Sequence, residues 1–315
     1  MSGRILVIGS LNMDMRIEVK TIPVVGETVL GNGLVYTPGG KGANQACAAG
    51  RIGKHTVMLG CIGNDGAGLA LRKSLENSGV VTDFLKVSET EATGTAVILV
   101  NREGNNSIVV CPGANRECSI EYLKDNDELF QNSDFIILQM EIPMESVEYA
   151  AHRGRQLGKT VILNPAPAPD RIPESIYRNA DFITPNETEL MKLSGKSDLS
   201  EKNIRDGAGI LLERGLKNVI VTLGDKGCRW ISSDQDTCIH AVRTNAVDTT
   251  AAGDCFNGAF AAGMAEGMSI LDALRFANTA SSITVTRKGA QEAIPSRDEV
   301  NKVFYCQDGA EGNHK

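Results

Sequence analysis

Short apolar runs alternate with amphipathic segments along most of the chain. The runs are RILVIGS (4–10), TVMLGCIG (56–63), DFIILQM (134–140), TVILNPAP (160–167), DFITPN (181–186) and NVIVTLG (218–224). Strands that are buried on both faces have this composition. Apolar residues have helical spacing in the segments between them, such as 119–130, 145–157, 203–214 and 253–267. The alternation predicts an α/β fold with a doubly wound, mostly parallel sheet and helices on both faces.

Two segments depart from this pattern and predict a small second sheet. In MRIEVK (15–20) apolar and charged residues alternate, which is typical of a strand with one wet face. TAVILVNREGNNSIVV (95–110) reads as two strands around a turn at 103–106. We expect these strands, at about 14–38 and 94–112, to form a lid over the strand ends, a dimer surface, or both. No repeat or linker separates them, so we expect one domain over 1–315.

Composition restricts the classes of function. Of 315 residues, 42% are hydrophobic and 23% charged, and the net charge is −7, which argues against a nucleic-acid partner. No apolar run approaches the roughly 20 residues of a membrane helix. The eight cysteines include no CxxC pair, and the four histidines lack zinc-site spacing. We therefore expect a cytoplasmic protein with no membrane or nucleic-acid partner.

Neither of the two common nucleotide-binding loops is present. GKT at 158–160 and GKS at 195–197 lack the upstream glycine of a Walker A loop, and no strand is followed by GxGxxG. Both a P-loop kinase and a nicotinamide dehydrogenase are therefore disfavoured.

DTTAAGDCFNGAF (248–260) has the features of an anion-binding helix start. If the helix begins near Ala251 or Ala252, the backbone N–H groups of Ala251, Ala252 and Gly253 form an anion hole at its N-terminus. We expect an ordinary backbone angle at Ala251. Asp254 lies in the first turn, where a general base could take a proton from a hydroxyl that attacks the phosphate. The alternative is that Asp248 or Asp254 only caps the helix.

Two further segments carry groups that can bind a polyol. Gly40, Lys41 and Asn44 belong to PGGKGANQACAAG (38–50), a glycine loop before a helix of small residues, which could also be a plain turn. Asn12 and Asp14 lie two apart after the first strand, so both can point to one side. Buried amide and carboxylate groups of this kind select strongly for hydroxyls.

Asn186 and Glu189 in NETE open a predicted helix after a strand. Three residues apart, they could hold a hydrated Mg²⁺ ion near phosphates. The alternative is a capping box, in which the same two residues satisfy the helix N-terminus.

With these motifs the chain resembles the ribokinase family of ATP-dependent sugar and nucleoside kinases. The resemblance runs from residue 5 to about 303 and rests on seven motifs in the family order. They are GSLNMD, GGKGANQ, LNPAPA, TPNETE, VTLGDKG, VDTTAAGDCFNGA and VTRKGAQ. The resemblance implies a main α/β domain with a small β lid through which two subunits form a homodimer.

The resemblance also implies roles for individual residues. The sugar, D-ribose, would be held by Asn12, Asp14, Gly40, Lys41, Asn44 and Glu141. Asp254 would be the base, and the anion hole would comprise Ala251, Ala252 and Gly253. ATP would contact Asn186, Thr222, Gly224, Asp225, Gly227, Gly253 and Asn278. Glu189 would orient the Mg²⁺ shell, and a K⁺ ion would be bound by Asp248 with main-chain oxygens of Thr250, Thr284, Arg287 and Gly289.

The implied reaction is ATP-dependent phosphorylation of D-ribose to D-ribose 5-phosphate by in-line transfer. A deoxyribokinase or another pentose or nucleoside kinase would use the same apparatus, although Asn12 favours a fully hydroxylated sugar. A regulator that binds sugar or nucleotide without catalysis is disfavoured, because Asp254, Glu189 and the anion-hole residues are all present together.

Overall fold

A computed structural model describes residues 3–53, 55–198 and 200–311. The strands in chain order are β1 (Ile5–Ile8), β2 (Asn12–Val19), β3 (Gly31–Gly39), β4 (Thr56–Leu59), β5 (Cys61–Gly63), β6 (Val80–Val81), β7 (Lys86–Ser88), β8 (Gly94–Val100), β9 (Asn106–Cys111), β10 (Phe135–Leu138), β11 (Thr160–Leu163), β12 (Phe182–Ile183), β13 (Asn218–Thr222), β14 (Cys228–Ser232) and β15 (Asp236–Ile239). The α-helices are α1 (Lys41–Ile52), α2 (Gly66–Asn77), α3 (Ile120–Asp125), α4 (Asp127–Gln131), α5 (Met144–Gln156), α6 (Glu174–Asn179), α7 (Glu187–Ser194), α8 (Glu201–Glu213), α9 (Ala252–Ala265), α10 (Ile270–Thr284) and α11 (Arg297–Glu311).

The main sheet has nine strands in the order β15-β14-β13-β12-β11-β10-β1-β4-β6. In this spatial order, the strands from β13 across to β6 at the far edge run parallel. Strands β14 and β15 add an antiparallel edge beside β13. The predicted doubly wound α/β fold is confirmed. Among the described residues, none of the helices combines the length and apolarity needed to cross a bilayer.

Two apolar layers cover the two faces of this sheet. Along β1, Ile5 and Val7 point into one layer, with α1, α2, α9, α10 and α11. Leu6 and Ile8 point into the other, with helices α3 to α8. Both faces are buried, which is why the strands read as continuous apolar runs.

Two predicted elements are split in the structure. The run 56–63 divides at Gly60 into β4 of the main sheet and β5, which pairs with β7 instead. A side chain at Gly60 would lie 2.7 Å from the Gly9 carbonyl oxygen, so the chain turns where only glycine fits. The predicted helix 119–130 breaks at Asn126, whose amide donates to the Tyr122 carbonyl and ends α3.

The second sheet, called the lid below, consists of β2, β3, β8 and β9 in the order β3-β2-β8-β9. The predicted hairpin is confirmed as β8 and β9, which pair antiparallel around residues 101–105. Asn12 and Asp14 lie two apart within β2, the strand that follows β1, so they share one face of the lid.

Candidate active site

A cavity of about 230 Å³ lies at the carboxyl ends of the parallel strands, the edge where open α/β sheets bind ligands. It is lined by Lys41, Asn164, Ala166, Thr184, Asn186, Glu189, Thr222, Thr249, Ala251, Ala252, Gly253, Asp254 and Asn257. Eight of these thirteen residues are site residues that the sequence predicted. These eight residues come from four distant parts of the chain and meet here.

The predicted anion hole lies at the N-terminus of α9, with one correction. Ala251 has φ +58°, in the left-handed region, so the expectation of an ordinary backbone angle was wrong. This angle lets the chain turn sharply into the helix, at a steric cost that an alanine bears and a glycine would not. The N–H of Ala252 already donates to the Thr249 carbonyl at 3.3 Å. The N–H groups of Ala251 and Gly253 have no acceptor among the described residues.

Asp254 lies in the first turn of α9 with a side chain that is only 8% exposed. Its Oδ1 accepts a hydrogen bond from Gln45 Nε2 at 2.9 Å, and its Oδ2 accepts one from Asn44 Nδ2 at 3.0 Å. Burial raises the pKa of Asp254, and the Lys41 ammonium and these two amides oppose that rise. A carboxylate whose pKa is raised in this way is a stronger base than an exposed one.

Close packing of α1 against α9 brings these groups together. A side chain at Gly258 would lie 2.5 Å from the Ala48 Cβ and 2.6 Å from the Gln45 carbonyl oxygen, so the two helix backbones approach where only small residues fit. Gly258 lies one turn after Asp254, and Ala48 lies one turn after Asn44. The small residues at this crossing therefore place the two amides against the carboxylate.

Lys41 begins α1 and reaches into the cavity. Burial alone would lower the pKa of its ammonium group. The carboxylates of Asp254, Glu141, Glu189 and Asp14 together raise the pKa above its ordinary value, so the group stays charged. This cation can therefore offset negative charge in a bound ligand.

The glycine loop before α1 allows a close approach to β2. Gly40 has φ +88°, and a side chain there would lie 2.6 Å from the Asn12 nitrogen. Glu141 ties this loop to the main sheet, because one of its oxygens accepts from Ser10 Oγ at 2.5 Å and from the Lys41 N–H at 3.1 Å. Glu141 therefore supports the loop through these two hydrogen bonds.

On β2, both predicted sugar-binding side chains are at least partly buried. The Asn12 Oδ1 accepts from Asn115 Nδ2 at 2.8 Å, which fixes the orientation of the Asn12 amide. Burial, with the charges of Glu141 and Asp254, raises the pKa of Asp14 from an ordinary value of 3.8 to about 7, although Lys41 acts in the opposite sense.

Asn186 and Glu189 form a capping box at the start of α7, as the alternative interpretation held. The Asn186 side chain accepts from the Glu189 N–H at 2.8 Å, and Glu189 Oε2 accepts from the Asn186 N–H at 2.9 Å. Both residues also line the cavity, and burial raises the pKa of Glu189. One carboxylate oxygen of Glu189 has no hydrogen-bond donor among the described residues.

A second cavity, of about 430 Å³, lies beside the end of β15 and is lined by Asp225, Lys226, His240, Ala241 and Arg243. The turn after β13 forms part of its wall, and positive φ angles at Gly224 (+59°) and Gly227 (+99°) shape this turn. Asn278 is buried behind this wall, and its amide donates to the Ile239 carbonyl at 3.0 Å. Asn278 therefore holds β15 to α10, and only its side-chain oxygen is left for another partner.

Asp248 lies outside the first cavity and joins two loops. Its Oδ1 accepts from the Thr250 N–H at 2.9 Å and the Thr250 hydroxyl at 2.7 Å, and its Oδ2 accepts from the Gly289 N–H at 3.1 Å. These hydrogen bonds outweigh burial and lower the pKa of Asp248, so the group stays ionised. The Thr284 carbonyl accepts from the Arg287 N–H at 3.1 Å in the same turn.

Several polar residues of the site were not assigned from the sequence. They are Gln45, Asn115, Gln139, Thr184, Asn257 and, in the second cavity, His240 and Arg243. Gln45 had a local signal, since it directly follows Asn44 in a motif already identified. Thr184 and Asn257 likewise lie within identified motifs, TPNETE and VDTTAAGDCFNGA, whereas Asn115, Gln139, His240 and Arg243 carry no signal of spacing or composition in the chain.

Comparisons with known proteins identify the family of the chain. The model of the pfkB family of carbohydrate kinases matches residues 2–297. The chain is 40% identical over 301 residues to a ribokinase from Bacillus subtilis, covering 95% of this chain and 99% of that one. It is 37% identical over 298 residues to a deoxyribokinase from Salmonella typhi, covering 95% and 97%. The structure of an Arabidopsis thaliana ribokinase complexed with ribose and ATP superposes with a TM-score of 0.88 at 34% identity, covering 96% and 99%. The chain therefore belongs to the pfkB family of carbohydrate kinases.

Proposed function

We propose that this protein transfers the γ-phosphoryl group of ATP to D-ribose and releases D-ribose 5-phosphate. Ribokinases that match the chain over nearly its full length support the substrates. The observation that carries the proposal is the position of Asp254, between free backbone N–H groups at the start of α9 and the polar face of β2.

In the proposed mechanism Asp254 accepts the proton of the primary hydroxyl as that oxygen attacks the γ-phosphorus. The N–H groups of Ala251 and Gly253 stabilise the charge on the transferred group, and the Lys41 ammonium adds a fixed positive charge. Asn12 and Asp14 orient the sugar from the lid. Most of the rate enhancement then comes from positioning and electrostatics.

We propose that ATP lies along the ends of β12, β13 and β15, with its phosphates in the first cavity and its base in the second. The predicted nucleotide residues are distributed in this way: Asn186, Thr222 and Gly253 line the first cavity, and Asp225 lines the second. Gly224, Gly227 and Asn278 shape the wall between the turn and α10.

Two cations belong to the proposal. The free Glu189 oxygen suits the water shell of a Mg²⁺ ion, which prefers oxygen ligands and would neutralise phosphate charge. Asp248 keeps a lowered pKa behind the anion hole, which suits a K⁺ ion held together with main-chain oxygens of Thr250, Thr284, Arg287 and Gly289. Such an ion would supply only fixed positive charge.

We further propose that the chain acts as one kinase domain over 1–315, as a homodimer joined through the lid, and in the cytoplasm. Exposed apolar side chains on the lid, such as Tyr36 and Val109, support the dimer.

Deoxyribose is the second candidate substrate, because the Salmonella typhi deoxyribokinase is about as similar to this chain as the ribokinases are. Asn12 favours ribose, since a fixed buried amide discriminates against a sugar that lacks the hydroxyl it binds.

The test compares turnover of ribose, 2-deoxyribose and adenosine with ATP and Mg²⁺, in potassium and in sodium buffer. We expect ribose and potassium to give the highest rates.

In Asp254→Asn we expect kcat to fall by about 10²- to 10⁴-fold with ribose binding largely retained, because the base is lost and the amide keeps the same shape. Asp225→Asn, in the second cavity, is the matched control and should change the KM for ATP more than kcat. A near-normal kcat in Asp254→Asn would refute the assigned base, and equal rates on the three acceptors would refute the choice of ribose.

A further inference from the structure

We propose that Gln45 is a positioning residue for Asp254, and that it assigns different tasks to the two carboxylate oxygens. Gln45 holds Oδ1 permanently, so Oδ2 is the oxygen that takes the proton from the sugar hydroxyl. The inference rests on the proposed role of Asp254 as general base.

The Gln45 amide is fully buried and is anchored at both ends. Its Nε2 donates to Asp254 Oδ1 at 2.9 Å and to Asn164 Oδ1 at 3.1 Å, and its Oε1 accepts from Gln139 Nε2 at 2.8 Å. Three hydrogen bonds thus fix one side chain, and none of them depends on a ligand.

The orientation of this amide follows from the chemistry of its neighbours. Asn164 Nδ2 donates to the Thr184 carbonyl at 3.0 Å, and a carbonyl can only accept. Asn164 must therefore present its oxygen to Gln45, and Gln45 must present its NH₂ group to both Asn164 and Asp254. The reversed orientation would place two oxygens against each other at Asn164 and again at Asp254.

Asn44, which contacts the other oxygen, is held much less firmly. Its Nδ2 donates to Asp254 Oδ2 at 3.0 Å, but its own Oδ1 is buried without a partner among the described residues. Only one hydrogen bond holds the Asn44 side chain in place. Its unpaired oxygen would gain a hydrogen bond if the side chain turned towards a new donor. Asn44 can therefore release Oδ2 to a sugar hydroxyl, whereas Gln45 cannot release Oδ1.

The charged groups around Asp254 determine how the loss of Gln45 would appear in a pH profile. They come from β2, the start of α1, the end of β10 and α7, and are Asp14, Lys41, Glu141 and Glu189. None of them is altered by a change at residue 45. Without the Gln45 donor the ionised form of Asp254 is less stable, so the pKa of Asp254 rises and the base is protonated at a higher pH.

The test is Gln45→Met, which keeps the length of the side chain and removes both donors. We expect kcat at saturating ribose to fall by about 10- to 100-fold, the KM for ribose to change by less than about threefold, and the acid limb of the kcat profile to move up by about one pH unit. A purely structural role would change stability without moving that limb.

Two other variants keep the test decisive. Gln139→Met removes only the bond to Gln45 Oε1 and should produce the same changes in weaker form, which decides the matter if Gln45→Met melts below the assay temperature. Asn218→Leu is the matched control. The Asn218 amide also forms hydrogen bonds at both ends, to Trp230 and Asp181, but it lies at the start of β13, away from the cavity at the carboxyl end of that strand. It should lower the melting temperature and leave the pH profile unchanged.

Failure of this inference can be separated from failure of the proposed function. If Asp254→Asn retains a near-normal kcat, the base assignment fails and the role of Gln45 fails with it. If Asp254→Asn is inactive while Gln45→Met and Gln139→Met keep the original kcat and acid limb, only the positioning role is wrong.

Discussion

At the scale of single residues, Asp14 links stability to pH. Its pKa is about 7 in the folded chain and near 3.8 when the chain unfolds, so the folded state binds the proton more tightly. The free energy of unfolding therefore falls as pH rises from about 4 to about 7 and Asp14 ionises. An aspartate at this position lowers the stability of the folded chain above pH 4. In return, its buried carboxylate can bind sugar hydroxyls strongly.

We expect Asp14→Asn to increase the free energy of unfolding at pH 8, and to increase it much less at pH 4.5, where Asp14 is still protonated in the folded chain and only the unfolded chain is ionised. The KM for ribose should rise by about 10- to 100-fold, since hydrogen bonds to a charged group are lost. Urea unfolding at the two pH values and steady-state kinetics measure both effects. Glu18→Gln, an exposed residue on the same strand, is the control. An equal stability change at both pH values would contradict the assigned titration.

Residue identities at the site were predictable where polar groups follow an apolar strand or precede a helix of small residues. Asn12, Asp14 and Asn186 were found after apolar strands in this way. The contact between Gln45 and Asp254 was not predictable, because 209 positions separate them and the contact depends on how α1 crosses α9. Local pattern does not encode such a crossing.

At the scale of elements, helix α9 begins with a residue in a strained backbone conformation. Ala251 has φ +58°, a conformation that costs an L-residue roughly 1–2 kcal/mol. No local signal distinguishes this alanine from its neighbour Ala252, so the backbone angle could not be read from the sequence. The breaks at Gly60 and Asn126 were missed for a related reason, since tertiary contacts decide where those two elements end.

We expect Ala251→Gly to increase the free energy of unfolding by up to about 1 kcal/mol, because relief of strain is partly offset by the entropy of glycine in the unfolded chain. The kcat should stay within about twofold, since the anion-hole N–H groups are unchanged. His55→Gly, at the other non-glycine residue with positive φ (57°) among the described residues, is the control for the backbone term. A loss of more than 1 kcal/mol at Ala251 alone would show that its methyl group packs favourably.

At the scale of the whole molecule, the lid has two unlike faces. One face carries Asp14, which lies close enough to Glu141, Asp254 and Lys41 for their charges to shift its pKa. On the opposite face Tyr36, Met15, Val97 and Val109 form a continuous row across all four strands. Tyr36 is 57% exposed and Val109 61%, and both edge strands are uncovered, features that proteins normally bury or protect. A second copy of this chain is the partner that we propose for the row.

We expect Val109→Asp to shift the protein from a dimer towards a monomer of 33.6 kDa, because a charge in an apolar interface is costly to bury. Light scattering after gel filtration, over a range of protein concentrations, measures the change. Arg102→Gln, an exposed residue at the hairpin turn, alters net charge equally and should leave the mass unchanged. If the parent protein is monomeric at all concentrations, the proposed dimer is wrong.

Strand β2 links the affinity for the sugar to the association of the two subunits. The same eight residues carry Asn12 and Asp14 on one side and Met15 in the apolar row on the other. If sugar binding and subunit pairing favour the same placement of this strand, each strengthens the other. Pairing then raises the affinity for the sugar by the same factor by which the sugar raises the affinity between subunits. Dilution would then weaken the affinity for the sugar, and a saturating sugar would hold the subunits together at concentrations where they otherwise separate.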